Sequence, residues 1–334
     1  MRSADRLVVC AAAALRRFQR SYLQWGRARS ALPDGRASLS ILRPGWTITG
    51  IALALPLLLA GCNILPTTRH LPVPKAPPLV QTATPEELVK QLDQRWDALN
   101  TLTATVEIYA TELKTAQGLE TDFPSCRGFI LLRKPKMLRV AGTYFGAKIF
   151  DMASDGNRFT LVMPTKNSVI EGSDTVTEKS SNPLENLRPD FFLNALVVRG
   201  LDPDNEYMVT NDTETVEDAA KKHLYAMPEY ILNIMQPKAG KEIQAVRVIT
   251  FHRDDMLPFD QDIYDSQGNL ETQISYANYA EFSAGRYPSK VTIKRPQEGI
   301  QLVLSVVRVE ENVALPDSQF QVTIPEGAKI EQLK

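Results

Sequence analysis

The chain has 334 residues, 43% of them apolar, enough for one large core or two modest ones. Its 38 Lys and Arg nearly balance 39 Asp and Glu, but residues 1–43 hold nine Arg and no Lys against Asp5 and Asp34, so the chain from Cys62 onward is acidic, with 37 carboxylates to 29 basic groups. A body of that charge makes a poor nucleic-acid binder, and three separated Cys (Cys10, Cys62, Cys126) with three scattered His (His70, His223, His252) offer neither a disulfide framework nor a thiolate metal site. No cofactor is expected.

In chain order, the first apolar stretch is "WTITGIALALPLLLA", Trp46–Ala60, 15 residues without charge. A bilayer crossing needs about 20 apolar residues, and Pro56 weakens this run further as a spanning helix. Arg43, a short apolar region and small residues at its end read as a bacterial export signal. Leu59-Ala60-Gly61-Cys62 resembles the lipobox of bacterial lipoproteins, which implies cleavage between Gly61 and Cys62 and a lipid on the Cys62 thiol. An anchor of two or three acyl chains is a stable membrane attachment. Residues 1–42 are long for an export leader, so the reading expects translation to begin downstream, at a codon read here as Leu39 or Leu42.

Residues 63–83, "NILPTTRHLPVPKAPPLVQTA", contain five Pro and read as an extended tether. Asn63 follows the Cys. In the best-known sorting scheme an Asp there retains lipoproteins in the inner membrane, so its absence implies the outer membrane, facing the periplasm. The expected organisation is leader and signal 1–61, lipidated tether 62–83 and a single domain 84–334.

The domain opens with a predicted helix in "TPEELVKQLDQRWDALNTL". Thr84 caps, Pro85 suits the first turn, Glu87 completes a capping box, and Leu88, Leu92, Trp96 and Leu99 form one stripe. Trp96 reads as core. Strands are predicted in "TATVEIYATEL", in "RGFILLRKPKMLRVAG" with a break at Pro135, and in "AKIFDMASDGNRFTLVMPTKNSVIEG" with a turn at Asp155-Gly156-Asn157. A second helical region, 182–198, is capped by Asn182 and divided at Pro189. Strands resume at "EYMVT", "EYILNIMQ", "IQAVRVITFHR", "DIYDSQGNLETQISYANYAEF", "YPSKVTIKRP" and "IQLVLSVVRVEENV", with turns at Gly268-Asn269 and Glu298-Gly299. The absence of a βαβ rhythm excludes a doubly wound fold.

Residues 84–326 resemble the LolA/LolB superfamily of lipoprotein-carrier domains, and more narrowly its lipidated, outer-membrane lipoprotein-sorting-like members. The resemblance rests on the order of "LLRKPKMLRV", "FDMASDGNRFTLVMP", "YDSQGNLETQISYANYAEFSAGRYPSKVTIKRP" and "LPDSQFQVTIPEGAK" behind a lipobox. It implies a mainly β (α+β) fold: a strongly curved open antiparallel sheet, a half-barrel, with an N-terminal helix and a lid-like helical segment. It also implies a hydrophobic cavity for acyl chains. The lining candidates are Leu131, Leu138, Val140, Ile149, Phe150, Phe159, Leu161 and Met163 on the early strands, with Phe191, Phe192, Leu193 and Leu196 on the helical segment. Each reads equally well as ordinary core. Arg139 is near the place of an Arg that holds the lid in the soluble carrier of the family, and reads otherwise as a strand-end Arg. "YFGAK", 144–148, stands where the membrane-bound acceptor of the family has a protruding apolar loop. The partners implied are a lipid or acylated lipoprotein, the membrane through Cys62, and a periplasmic carrier protein.

Catalytic signatures are absent: there is no G-x-S-x-G, H-E-x-x-H or phosphate loop. Cys126 reads as a buried, inert thiol. The competing function is a non-catalytic envelope scaffold that binds a protein or glycan partner on the same sheet. An open apolar cavity separates the first reading from the second, and a filled interior with an exposed aromatic or strand-edge patch favours the second.

Overall fold

The computed structural model describes residues 74–75, 79–114, 118–174, 188–217, 224–283 and 285–333. The leader, the lipobox with Cys62, His223 and the first half of the 182–198 segment lie outside the described residues.

Helix α1, Pro85–Ala98, forms with the expected cap: the Thr84 hydroxyl accepts from the Glu87 N–H at 3.2 Å and the Glu87 carboxylate accepts from the Thr84 N–H at 2.8 Å. Such a cap is worth about 1 kcal/mol. Strands β1 (Thr101–Lys114), β2 (Leu119–Asp122), β3 (Cys126–Arg133), β4 (Met137–Tyr144), β5 (Ala147–Ser154), β6 (Arg158–Met163) and β7 (Ser168–Ser173) follow, joined mostly by tight turns. The second helix, α2, is Pro189–Leu196, beginning at the proline that divides the predicted segment. Then come β8 (Glu206–Glu217), β9 (Leu224–Pro237), β10 (Ile243–His252), β11 (Pro258–Tyr264), β12 (Leu270–Phe282), β13 (Gly285–Arg295), β14 (Ile300–Glu311) and a short β15 (Lys329–Gln332). Both β8 and β9 run longer than predicted, because they pair with each other over twelve residues and the ladder sustains polar positions that no periodicity marks.

All these strands belong to one sheet, ordered β15-β7-β6-β5-β4-β3-β1-β14-β13-β12-β11-β10-β9-β8, with β2 beside β1. Pairing is antiparallel except between β15 and β7. The sheet does not close, since β15 and β8 are its ends. Register makes one face continuous. On one half the row runs Ala104, Ile130, Val140, Met152, Leu161, Ile170, and on the other Leu232, Ile249, Gln261, Ile274, Ile293, Leu302, Ala110. Because β1 pairs regularly with β3, Ala104 and Ala110 share a face, and so do the two rows. Both helices cover this face: α2 joins the cluster on β1, β3–β7 and β12–β14, and α1 joins the cluster on β9 and β10. The architecture is the expected open antiparallel half-barrel with an N-terminal helix and a helical cover.

The outer face is not left bare. After β14 the chain crosses back over β3–β6, burying Leu315 and Phe320, and ends as β15 beside β7. Arg133 holds this strap by donating to the Leu315 carbonyl at 2.7 Å, pairing with Asp317 at 2.5 Å and stacking over the Phe320 ring at 5.0 Å.

Candidate functional site

The lining candidates chosen from the sequence fall into two groups. Leu138, Val140, Phe159, Phe191, Phe192, Leu193 and Leu196 are fully buried in one cluster, with Ile149, Phe150, Leu161 and Met163 packed half-buried against it. Among the described residues these side chains pack against one another. A Cβ on Gly142 would collide with the Phe150 ring, and one on Gly128 would stand 2.5 Å from the Ile108 Cδ1, so the bare backbone of β3 and β4 is already covered by neighbouring side chains. Phe191 and Phe192 meet edge to face at 5.1 Å, and the Arg295 guanidinium sits 5.6 Å from the Phe191 ring.

Leu131 and Arg139 are corrections. The inward residues of β3 are Ile130 and Leu132, so Leu131 lies on the outer face, directly opposite Arg139 on β4. Arg139 donates to both Asp151 oxygens, at 2.9 and 2.7 Å, and to the Gln319 carbonyl at 2.9 Å. It therefore grips the C-terminal strap, on the side of the sheet away from α2. Lys148 adds a second cation to Asp151 at 2.5 Å. Burial alone would raise the Asp151 carboxyl, but the Arg139 and Lys148 hydrogen bonds hold it below the ordinary carboxylate value.

An open space among the described residues lies elsewhere. A cavity of about 520 Å³ sits between α1 and the inner face near β12 and β13. Leu88 and Leu92 of α1 with Leu99 and Leu102 after it form one wall; Leu196–Val198, following α2, form a second; Phe251 and the turn Asp255–Pro258 form a third; Tyr276, Tyr279, Tyr287 and Pro288 complete it. Of the candidates named from sequence, Leu196 alone lines it. Two hydrogen bonds, one buried and one half-buried, fix these walls. The Tyr287 hydroxyl donates to the Leu196 carbonyl at 2.6 Å, and the Tyr279 hydroxyl donates to the Pro258 carbonyl at 2.6 Å. Burial pushes both phenols up, so they stay neutral donors at any physiological pH. Asn278 takes a positive φ of 55°, which interrupts the alternation of β12 and lets Tyr276 and Tyr279, three residues apart, face the same space.

The mouth is polar. Gln91, Arg95, Arg286 and Glu311 are its exposed polar members. Arg286 pairs with Asp255 at 3.1 Å, and the other Asp255 oxygen accepts the Leu257 N–H at 3.0 Å, tightening the turn. That turn is also tied to the end of the Pro-rich segment. The Gln81 N–H donates to the Arg253 carbonyl at 2.6 Å, the Gln81 side chain to the Asp254 carbonyl at 2.9 Å, and Arg253 Nε back to the Gln81 carbonyl at 3.0 Å. Upstream, Lys75 bridges Tyr225 of β9. The body's contacts therefore begin before the predicted boundary at residue 84.

Arg247 is buried on β10 and donates to the Arg199 and Gly200 carbonyls, at 2.8 and 2.7 Å, which positions the segment after α2. Burial lowers its pKa to about 10. Trp96 is half-buried rather than core, with Lys134 Nζ 4.2 Å from its ring centre. Cys126 is buried and its thiol is pushed up, first by burial and then by Glu107. Among the described residues no group of three or more His, Cys, Asp or Glu is placed to hold a metal ion.

The tip of the β4–β5 hairpin is apolar and exposed. Phe145 is 93% exposed at a φ of 46°, with the Tyr144 ring 4.5 Å away.

Among solved structures the chain is similar to a LolA superfamily protein, NE2245 from Nitrosomonas europaea, at 14% identity and a TM-score of 0.46, over 72% of this chain and 99% of that one. It is similar to a DUF1329 family protein from Desulfovibrio piger, at 15% identity and 0.45, over 70% and 94%. It is similar to an outer membrane lipoprotein-sorting protein domain from Vibrio parahaemolyticus, at 13% identity and 0.38, over 70% and 92%. No family model matches the chain, and no curated protein matches it.

Proposed function

We propose that this chain is a non-catalytic bacterial envelope lipoprotein that shelters acyl chains in the cavity beneath α1, serving lipoprotein or lipid sorting or insertion. The observation that carries the reading is a half-open cavity of about 520 Å³ with mainly apolar walls and a polar mouth, a size within the roughly 300–1,000 Å³ of ligand sites. Each methylene moved from water into such a space is worth about 0.8 kcal/mol, so an acyl chain gains strongly by entering. The lipobox ending at Cys62 supports a lipid anchor, and Asn63 supports an outer-membrane, periplasm-facing location. The Tyr144-Phe145 tip supports contact with the membrane or an acyl donor, as a loop of the acceptor type would make. The expected partners are a lipid or acylated lipoprotein, the membrane and a periplasmic carrier; the acidic body disfavours nucleic acid.

The test is native mass spectrometry with lipid extraction on the Cys62→Ser chain made in the periplasm. The reading expects an acyl species near one per chain, lost in a folded variant whose cavity is filled at Leu257. A clean apo mass from a well-folded chain, unchanged by incubation with an acylated lipoprotein, would instead favour the scaffold reading. For that reading the specific support is β8, an exposed edge strand of twelve residues with one paired neighbour.

A further inference from the structure

We propose that β8 is a docking edge for an extended, basic segment of a partner protein, which joins the sheet as its next strand with Lys or Arg facing the β8 carboxylates. This goes beyond the acyl-binding reading and does not rest on it, since no residue of β8 lines the cavity. The backbone comes first. β8 ends the sheet, and all twelve of its residues pair with β9 in unbroken register. The ladder therefore holds β8 extended, and its other edge has no strand beside it among the described residues. Edges that stay free are blunted by Pro, by Lys or by a bulge, and Glu206–Glu217 contains no Pro, Lys, Arg or register shift.

The side chains define what fits. Tyr207 and Val209 pack inward against the cluster under α1, so alternation turns Glu206, Met208, Thr210, Asp212, Glu214 and Val216 to the outer face. Met208 and Val216 are 41% and 38% exposed there. The charge is one-sided. Residues 202–229 hold eight carboxylates against Lys221 and Lys222, and Lys75, on the far edge of β9, does not reverse the sign. That charge selects the occupant. A second copy is refused, because β8 against β8 sets like carboxylates side by side, and β8 against β15 pairs only the four residues of that strand. An anionic segment is repelled for the same reason. A cationic extended segment gains opposite-charge cross-strand pairs on top of the main-chain hydrogen bonds of strand addition, and its apolar residues meet Met208 and Val216.

The experiment uses the Cys62→Ser chain and labelled probes as long as β8: a peptide alternating Lys with Val and Thr, the same peptide with Glu for Lys, and a peptoid bearing the Lys peptide's side chains. The peptoid keeps the charge and has no backbone N–H to donate. Affinity is read by fluorescence anisotropy at physiological salt, and the place of contact by hydrogen exchange. The Lys peptide is expected to bind about thirtyfold more tightly than the Glu peptide and about tenfold more tightly than the peptoid. It is also expected to slow exchange in β8 and leave β15 unchanged. The double variant Glu206→Gln, Glu214→Gln, at two exposed positions, is expected to weaken the Lys peptide about tenfold with the urea midpoint unchanged. Equal binding of the Glu peptide would overturn the charge selection, and equal binding of the peptoid would overturn strand addition. Protection that spares β8 would overturn the placement, and dimerisation of the peptide-free chain through β8 would make a second copy the occupant instead. No binding of the Lys peptide would overturn the proposal and leave the acyl-binding reading to its own lipid test.

Discussion

Two substitutions separate a filled interior from an open one. Leu138 is 1% exposed and belongs to the cluster under α2, whereas Leu257 lines the cavity. Leu138→Ala removes three carbons from a close-packed site and leaves a void that the sheet cannot collapse onto, so the expected cost is about 2–5 kcal/mol. That is a large part of the roughly 5–15 kcal/mol by which a domain is stable. Leu257→Trp enlarges a side chain into existing space and should cost less than about 1 kcal/mol, below the penalty for overpacking a dense core. Urea unfolding of both variants in the Cys62→Ser background, at unchanged slope, gives the stabilities. Titration with a fluorescent fatty acid gives the capacity per folded chain. The expected result is a crossed pattern: Leu138→Ala unstable with full capacity, Leu257→Trp stable with little. If Leu138→Ala costs under about 1 kcal/mol and raises capacity, the early strands line the ligand space and the placement beneath α1 is refuted.

Gly142→Ala should lose about 1–3 kcal/mol through the collision with the Phe150 ring, and Phe150→Ala in the same chain should recover part of it, a non-additivity measurable by a double-mutant cycle. Asp151 is held below its ordinary pKa of 3.8, so its contribution to stability is complete above that value and is lost as pH falls through the lower, folded-state pKa. Asp151→Asn should therefore flatten the acid limb of stability below about pH 4 while lowering stability at neutral pH by roughly 1.5–3 kcal/mol, read by denaturant unfolding across pH. Phe145→Asn should leave stability within about 0.5 kcal/mol, since Asn tolerates the positive φ. It should also weaken partition onto anionic vesicles about thirtyfold, the equivalent of roughly 2 kcal/mol for one buried Phe.

The parts of the fold that were legible in the sequence are those with local causes. The Thr84–Glu87 box and the Leu88–Leu92 stripe placed α1, and Asp155-Gly156-Asn157 and Gly268-Asn269 placed hairpin turns where they occur. Face assignment failed where both faces are apolar. In "GFILLR" the inner Ile130 and Leu132 alternate with outer Phe129 and Leu131, and the C-terminal strap that covers part of the outer face comes from residues some 180 positions later. No local pattern announces that cover. The cavity was missed for a related reason. It is bounded by α1, the 253–258 turn and the β12–β13 hairpin, elements brought together by the sheet order and not by sequence proximity. One local signal did exist: "YANYAEFSAGRY" places three Tyr about a candidate positive-φ Asn, an arrangement a plain strand does not need.

The same order of elements joins residues 79–83 to the cavity wall, and Arg253 tests that connection. Gln81 lies four residues before α1 and nineteen after Cys62, and its three hydrogen bonds to Arg253 and Asp254 attach the end of the Pro-rich segment to the turn that walls the cavity. Arg253 contributes twice, through Nε to the Gln81 carbonyl and through its guanidinium 4.7 Å from the centre of the Tyr230 ring, whose hydroxyl in turn accepts the Ala83 N–H at 3.1 Å. Arg253→Ala removes one of the three bonds and the stacking but leaves both Gln81 donors in place. The expected loss is about 1 kcal/mol, small enough to keep the chain folded. Hydrogen exchange should then quicken together in residues 79–83 and 253–258, with β3–β6 unchanged, because a segment and a turn that share their restraints open as one cooperative unit. Quickening confined to residues 79–83 would mean that the turn is held by Asp255, Arg286 and Tyr279 alone, and that the upstream segment is not coupled to the cavity wall.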